Sequence, residues 1–232
     1  MIHFISDLHL HESRPETTQA FLDYLIGPAR QCESLWILGD LFEAWTGDDD
    51  LSLPFSARIA DALAAVAHSG VQVRILVGNR DFLLGNAFAK RSGVQIVQEP
   101  TLLQLGDHRT VLVHGDAQCT DDKRYQCFRR IVRNRLLQTI FHALPFILRR
   151  RIASRLRAQS EKSKAGKSMF IMDVNRDAIA ALFKQSGAEW LIHGHTHRPA
   201  IHEHAEGTRF VLSDWQGKAS GLCWNGENLS PF

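Results

Sequence analysis

The stretch IHFISDLH, residues 2–9, is a short apolar run that breaks off into an acid and a histidine. The same arrangement recurs in SLWILGDL (34–41), VRILVGNRD (73–81), TVLVHGD (110–116), EWLIHGHTH (189–197) and RFVLSDW (209–215). Runs of this length, rich in β-branched and large apolar residues and closed by polar ones, read as buried strands. Helix-like stretches at 17–26, 54–68 and 173–185 lie between several of them. The pattern is therefore β alternating with α, which predicts an α/β sandwich with a largely buried sheet. In such folds ligands bind beyond the carboxyl ends of the strands, where these polar clusters fall.

The segment 123–168 departs from that pattern. Tyr125, Phe128, Val132, Leu136, Ile140 and Leu144 recur at helical spacing, Pro145 interrupts, and Ile147, Leu148, Ile152 and Leu156 resume. Two amphipathic helices inserted into a core formed by 1–122 and 169–232 are expected. The net charge of +2 hides an asymmetry: residues 123–167 hold fourteen Lys or Arg against the single acid Glu161. The remainder carries a net charge of −11. The segment is thus suited to an anionic partner, and the remainder to holding cations.

Cys32, Cys119, Cys127 and Cys223 form no CxxC pair, and the chain enters a strand-like run from Met1 without a signal peptide. A cytoplasmic protein with reduced thiols is expected. No apolar run approaches the roughly 18–20 residues that span a bilayer, so membrane contact is expected to be peripheral. The oligomeric state is open, a monomer being the simplest expectation.

Five strand ends carry chemistry: Asp7-x-His9, Gly39-Asp40, Gly78-Asn79, His114 and His195-x-His197. Two residues apart on an extended strand end, Asp7 and His9 share one side and can ligate one ion. Taken singly, a strand-end Asp is more often a turn or cap residue, and a lone His more often hydrogen-bonded than metal-bound. Five such ends in this order are hard to attribute to turns. The order D-x-H, G-D, G-N-R-D, H-G, G-H-x-H resembles the calcineurin-like metallophosphoesterases over the full chain. That resemblance implies one ion on Asp7, His9, Asp40 and His197, and another on Asp40, Asn79, His114 and His195, with Asp40 bridging. The mixed nitrogen and oxygen donors suit two Mn²⁺, with Zn²⁺ or Fe possible. Such a pair supports in-line displacement at phosphorus.

Longer stretches, ILGDLFEAWTGDDD (37–50), GNRDFLLG (78–85), HGDAQCTDD (114–122), IMDVN (171–175) and HGHTHRPA (193–200), resemble the branch of that family acting in Gram-negative lipid A biosynthesis. The resemblance implies hydrolysis of the diphosphate of UDP-2,3-diacylglucosamine, with water attacking the α-phosphorus. It also implies that the basic insertion is a helical lid, and that Asn79, Arg80, Asp122, Ser160, Lys164, Lys167 and His195 contact substrate. Lys164 stands where close relatives have Asn. The lid's apolar stripe and cations would favour acyl chains and the anionic cytoplasmic face of the inner membrane. The plainer alternative is a stripe packed on the core beneath a solvated basic face.

Arg80 stands where many calcineurin-like enzymes have a histidine that acts as general acid. A guanidinium is a poor proton donor at neutral pH but forks well onto phosphate oxygens. A phosphate monoester with a second pKa of about 6 leaves without protonation, so a diphosphate substrate tolerates the exchange. Asp81 is expected to orient Arg80 or a ligating histidine. Two other readings stay open. One is a dinuclear phosphoesterase for nucleotides or phosphoproteins; the other is a module binding nucleic acid or membrane with vestigial metal motifs, which the complete ligand set disfavours.

Overall fold

Each of the six apolar runs forms a strand in the computed structural model, which describes residues 1–164 and 173–232. In chain order the strands are β1 (Ile2–Ile5), β2 (Ser34–Leu38), β3 (Gln72–Leu76), β4 (Gln95–Val97), β5 (Thr101–Leu105), β6 (His108–Leu112), β7 (Trp190–His193), β8 (Ala200–His204), β9 (Gly207–Val211), β10 (Leu222–Trp224) and β11 (Leu229–Pro231). The α-helices are α1 (Pro15–Ile26), α2 (Pro54–His68), α3 (Asn86–Ser92), α4 (Lys123–Val132), α5 (Arg135–His142), α6 (Phe146–Lys164) and α7 (Arg176–Ser186).

The strands form two sheets, ordered β11-β10-β1-β2-β3-β4 and β5-β6-β7-β9-β8. Their central pairs, β1 with β2, β2 with β3, β6 with β7 and β7 with β9, are parallel. The period of two along each strand decides the layering. In β2, Trp36 and Leu38 pack with Phe4, Leu76, Leu112, Ile192 and Phe210 between the sheets. Its alternate residues Leu35 and Ile37 pack with Phe21, Leu25, Ile59 and Leu63 of α1 and α2. On the far side, Val111 and Leu191 meet Ile179, Leu182 and Phe183 of α7. The result is a helix–sheet–sheet–helix sandwich with strands buried on both faces, which is why their sequences are nearly continuous apolar runs. Each fully buried Leu or Phe side chain contributes about 1.5–3 kcal/mol.

The insertion contains three described helices, not two. Asn134 takes an extended conformation and its side chain accepts hydrogen bonds from the N–H groups of Leu136 and Leu137, so a new helix starts where the apolar spacing runs on unbroken. Strands β10 and β11 close the first sheet at the edge of β1.

Candidate metal centre

The loops that leave β1 and β2 stay zipped together beyond the sheet. Backbone N–H groups of Asp7, His9 and Leu10 donate to the carbonyls of Gly39, Asp40 and Leu41 at 3.1, 3.0 and 2.9 Å. This pairing sets the D-x-H pair against Asp40. Among the described residues, the non-glycine positions with positive φ are Asp7, His9, Asp40, His195 and His197, between 48° and 67°. All five belong to the predicted ligand set, so left-handed backbone, costly for side-chain-bearing residues, is concentrated where the side chains must converge. Gly78 and Gly194 are needed for the same reason: a β-carbon would collide with Asp40 Oδ1 at the first and with Asp7 Oδ2 at the second.

Two compact donor groups result, Asp7–His9–His197 and Asp7–Asp40–His114. His197 Nε2 lies 3.3 Å from Asp7 Oδ1 and 3.2 Å from His9 Nε2. Asp40 turns its two oxygens in different directions, Oδ1 lying 3.7 Å from His114 Nε2 and Oδ2 3.9 Å from His9 Nδ1. The Nδ1–H of His114 donates to the Leu38 carbonyl at 2.8 Å, so Nε2 is presented to Asn79 Oδ1 at 3.1 Å. The His195 ring packs against that of His114, 5.0 Å between centroids, and its backbone N–H donates to Asp7 Oδ2 at 2.8 Å. The predicted ligands from all five strand ends thus meet in one place.

The electrostatics suit a cation. Asp7 Oδ1 and His9 Nδ1 are buried with no hydrogen-bond partner among the described residues. Such orphaned polar atoms are rare in folded proteins. Burial pushes the Asp40 carboxyl up to about 7, with Asp81 and Asp7 adding to the effect against His114. Burial likewise drives His9 and His195 down to about 2 and 3, leaving neutral imidazoles. His114, although buried, is raised to about 9 by Asp40, Asp7 and Asp116. Burial disfavours the charge of Asp7, yet the neighbouring imidazoles of His197 and His114 hold it well below the usual carboxylate range. Nitrogen and carboxylate donors in this density, without thiolates, fit divalent ions of the Mn²⁺ or Zn²⁺ kind.

Asp81 differs from expectation. Its carboxylate accepts from the backbone N–H groups of Gly78 and Leu41, each at 2.7 Å, and of Asp40 at 3.4 Å. It therefore clamps the β2 and β3 loops together, and neither the Arg80 side chain nor an imidazole is its hydrogen-bond partner. Burial raises its pKa, opposed by those same hydrogen bonds. Arg80 instead points Nη1 at Glu43 Oε1, 3.5 Å away, while its backbone N–H holds Asp40 Oδ1 at 2.8 Å. Asp122 caps α4 through the N–H of Tyr125, and Ser160 is exposed on α6. Lys167 and the side chain of Lys164 lie outside the described residues.

The insertion is bolted to this centre by residues that have no motif in the sequence. Tyr125 Oη donates to Asp116 at 2.7 Å, and Arg129 bridges Asp116 and Glu99 at 2.7 and 2.8 Å. Arg133 donates to the Gly78 carbonyl at 3.0 Å, Arg149 pairs with Asp49, and Arg157 meets Glu43 at 2.6 Å. Glu99 in turn accepts from the His114 backbone N–H at 2.9 Å. The only sequence signal was an excess of acids in the core against an excess of bases in the insertion.

The calcineurin-like phosphoesterase family model matches residues 1–199. The chain belongs to this family. It is a hydrolase; the family implies use of a divalent metal, and the cluster of Asp7, His9, Asp40, His114 and His197 is the candidate site for it. Two relatives named UDP-2,3-diacylglucosamine hydrolase match almost the whole chain. The protein of Aromatoleum aromaticum is 49% identical over 227 residues, covering 96% of this chain and 92% of its own. That of Escherichia coli is 48% identical over 221 residues, covering 94% and 92%.

Proposed function

We propose that this calcineurin-like phosphoesterase hydrolyses the diphosphate of UDP-2,3-diacylglucosamine, giving UMP and 2,3-diacylglucosamine 1-phosphate as a step of lipid A biosynthesis. The observation that carries this reading is the near full-length similarity to relatives named for that substrate, insertion included. Asp7, His9, Asp40 and His197 would hold one divalent ion, and Asp40, Asn79, His114 and His195 a second, Mn²⁺ being the expected metal. When bound, the ions supply an activated water and charge neutralisation at the phosphoryl group. Asp40, whose oxygens face the two groups separately, is suited to the shared position.

The protein's own residues account for the rest. The Leu38 carbonyl orients His114 and selects the tautomer with Nε2 as donor atom. Arg80 stabilises charge on the phosphates; the UMP leaving group needs no proton, so no general acid is required at that position. Asp122, Ser160, Lys164 and Lys167 complete the substrate contacts around the sugar and its phosphates.

The insertion is proposed to seat the acyl chains and to bring the enzyme to the cytoplasmic face of the inner membrane. Phe128, Ile131, Leu136, Leu137, Ile140, Ile147, Leu148 and Leu156 are exposed on it and form the majority of the large exposed apolar side chains among the described residues. Arg130, Arg135, Arg150, Arg151 and Arg155 are exposed beside them. Apolar and cationic groups in such proximity favour an anionic lipid surface. No described helix is long and apolar enough to cross a membrane.

A manganese-dependent assay on UDP-2,3-diacylglucosamine in labelled water tests the reading. UMP should be released carrying the isotopic oxygen. Label in the sugar phosphate would move the attack to the other phosphorus, and turnover of UDP-glucose at equal efficiency would remove the lipid from the specificity.

A further inference from the structure

Glu43 lies in the loop after β2 with only 6% of its surface exposed. Its Oε1 meets Arg157 Nη2 of α6 at 2.6 Å and Arg80 Nη1 of the β3 loop at 3.5 Å. Its Oε2 is 3.8 Å from Nδ1 of His9. Three segments distant in sequence therefore converge on one carboxylate. The loop that carries it is held firmly, since the Glu43 N–H donates to the Leu10 carbonyl at 3.1 Å and Leu10 pairs with Phe42. About two turns before Arg157 on α6, Arg149 donates to the Thr46 carbonyl at 2.7 Å, so the helix lies along this same loop.

Among the described residues, Glu43 is a carboxylate that both guanidiniums share beside the metal ligands. A guanidinium has five N–H donors, enough to hold a carboxylate through one nitrogen and present another edge to phosphate. A long side chain so anchored also loses less conformational freedom when it closes on an anion. We propose that Glu43 is a positioning residue: it holds Arg80 and Arg157 together at the edge of the metal centre as a two-guanidinium seat for the diphosphate. The inference rests on the substrate proposed above. It gives Arg157 of α6 a part in the phosphate chemistry, beside the substrate contacts that the resemblance implies for Ser160 and Lys164.

The test uses the full-length, manganese-loaded protein and the variants Glu43→Gln, Glu43→Asp, Arg157→Met and Glu43→Gln with Arg157→Met. Metal content and steady-state kinetics on UDP-2,3-diacylglucosamine are measured for each. Losing a charge-assisted anchor should raise KM about tenfold in Glu43→Gln and in Arg157→Met, with a smaller change in kcat. Glu43→Asp should recover part of the loss. The double variant should cost clearly less than the product of the single effects, because Glu43 acts through Arg157. Independent effects overturn the proposal. A fall in KM also does, since Glu43 would then compete for the arginines, and so does metal loss in Glu43→Gln, which would tie it to His9. If the wild-type protein fails to hydrolyse this substrate, the substrate reading fails, and amide hydrogen exchange decides the anchor separately. Faster exchange around Arg157 in Glu43→Gln, with β2 protected as before, retains the hold of Glu43 on α6; unchanged exchange overturns it.

Discussion

The metal centre and the helical insertion use charge in opposite ways. At the centre, buried carboxylates and imidazoles crowd together so closely that Asp40 is pushed up to about 7 and two buried polar atoms are left without hydrogen bonds. In the insertion, cations divide into two populations. Arg129, Arg133, Arg149 and Arg157 turn inward to core acids or carbonyls, while Arg130, Arg135, Arg150 and Arg151 stay exposed among apolar side chains. The centre is therefore unfavourable until a cation arrives, whereas the insertion is half anchor and half open surface. Removing charge should empty the first of activity and leave the outer half of the second intact.

The largest effect is expected from Asp40→Asn, which should lower turnover on the order of 10³-fold, with divalent metal content falling alongside. Full activity with full metal would sever Asp40 from the centre. Arg80→His should retain metal yet lose turnover on the order of 10²-fold on the diphosphate; equal rates in the metal-replete variant would make the guanidinium dispensable.

Crowding at the centre also sets a pH dependence in metal-free protein. The folded pKa of Asp40, about 7, lies above the ordinary 3.8. Its protonated form therefore favours the fold fully below the unfolded value, and that contribution is lost as pH rises through 7. His114, raised to about 9, acts in the same direction over a higher window, between its ordinary 6.5 and that value. His9 and His195, driven down by burial, oppose this below their ordinary 6.5, so thermal unfolding of metal-free protein should show a Tm that drops from pH 7 to 9, and added Mn²⁺ should flatten the profile. A flat metal-free profile would contradict this account of the site.

Within the insertion the contrast between anchor and surface can be measured directly. Arg149→Ala deprives the Thr46 and Leu144 carbonyls of donors and should destabilise the protein by about 1–3 kcal/mol in denaturant unfolding. Leu136→Glu combined with Ile140→Glu, at exposed positions, should change stability by less than about 0.5 kcal/mol. The same pair should weaken sedimentation with anionic vesicles at least about tenfold. A large loss of stability in that double variant would mean the apolar stripe packs on the core.

How much of this was legible beforehand follows from the range of the forces involved. The strands of the central layers announced themselves because burial on both faces demands unbroken apolar runs, as in Leu35 to Leu38. Strands β5 and β8 have no such run in the sequence because they are partly exposed and carry mixed residues. The ligands stood out because each closes an apolar run with a donor side chain. Glu43, three residues beyond Asp40, carries no such mark, since nothing local distinguishes an acid that will meet Arg157 from one that will face water. Asp81 is legible as a supporting residue but its partners are not, because two of them are backbone groups of another loop.

Residue type and order determined by themselves the alternating α/β class, the nitrogen and oxygen ligand set and the charge asymmetry of the insertion. These depend on local periodicity and on the chemistry of single side chains. Only the tertiary structure decided that five of the predicted ligands take left-handed backbone, that Asn134 starts a separate helix within the insertion, and that Glu99, Asp116 and Glu43 receive particular arginines. Those choices are settled by long-range packing, where the cost of burying a charge must be met by whichever partner the fold brings within reach.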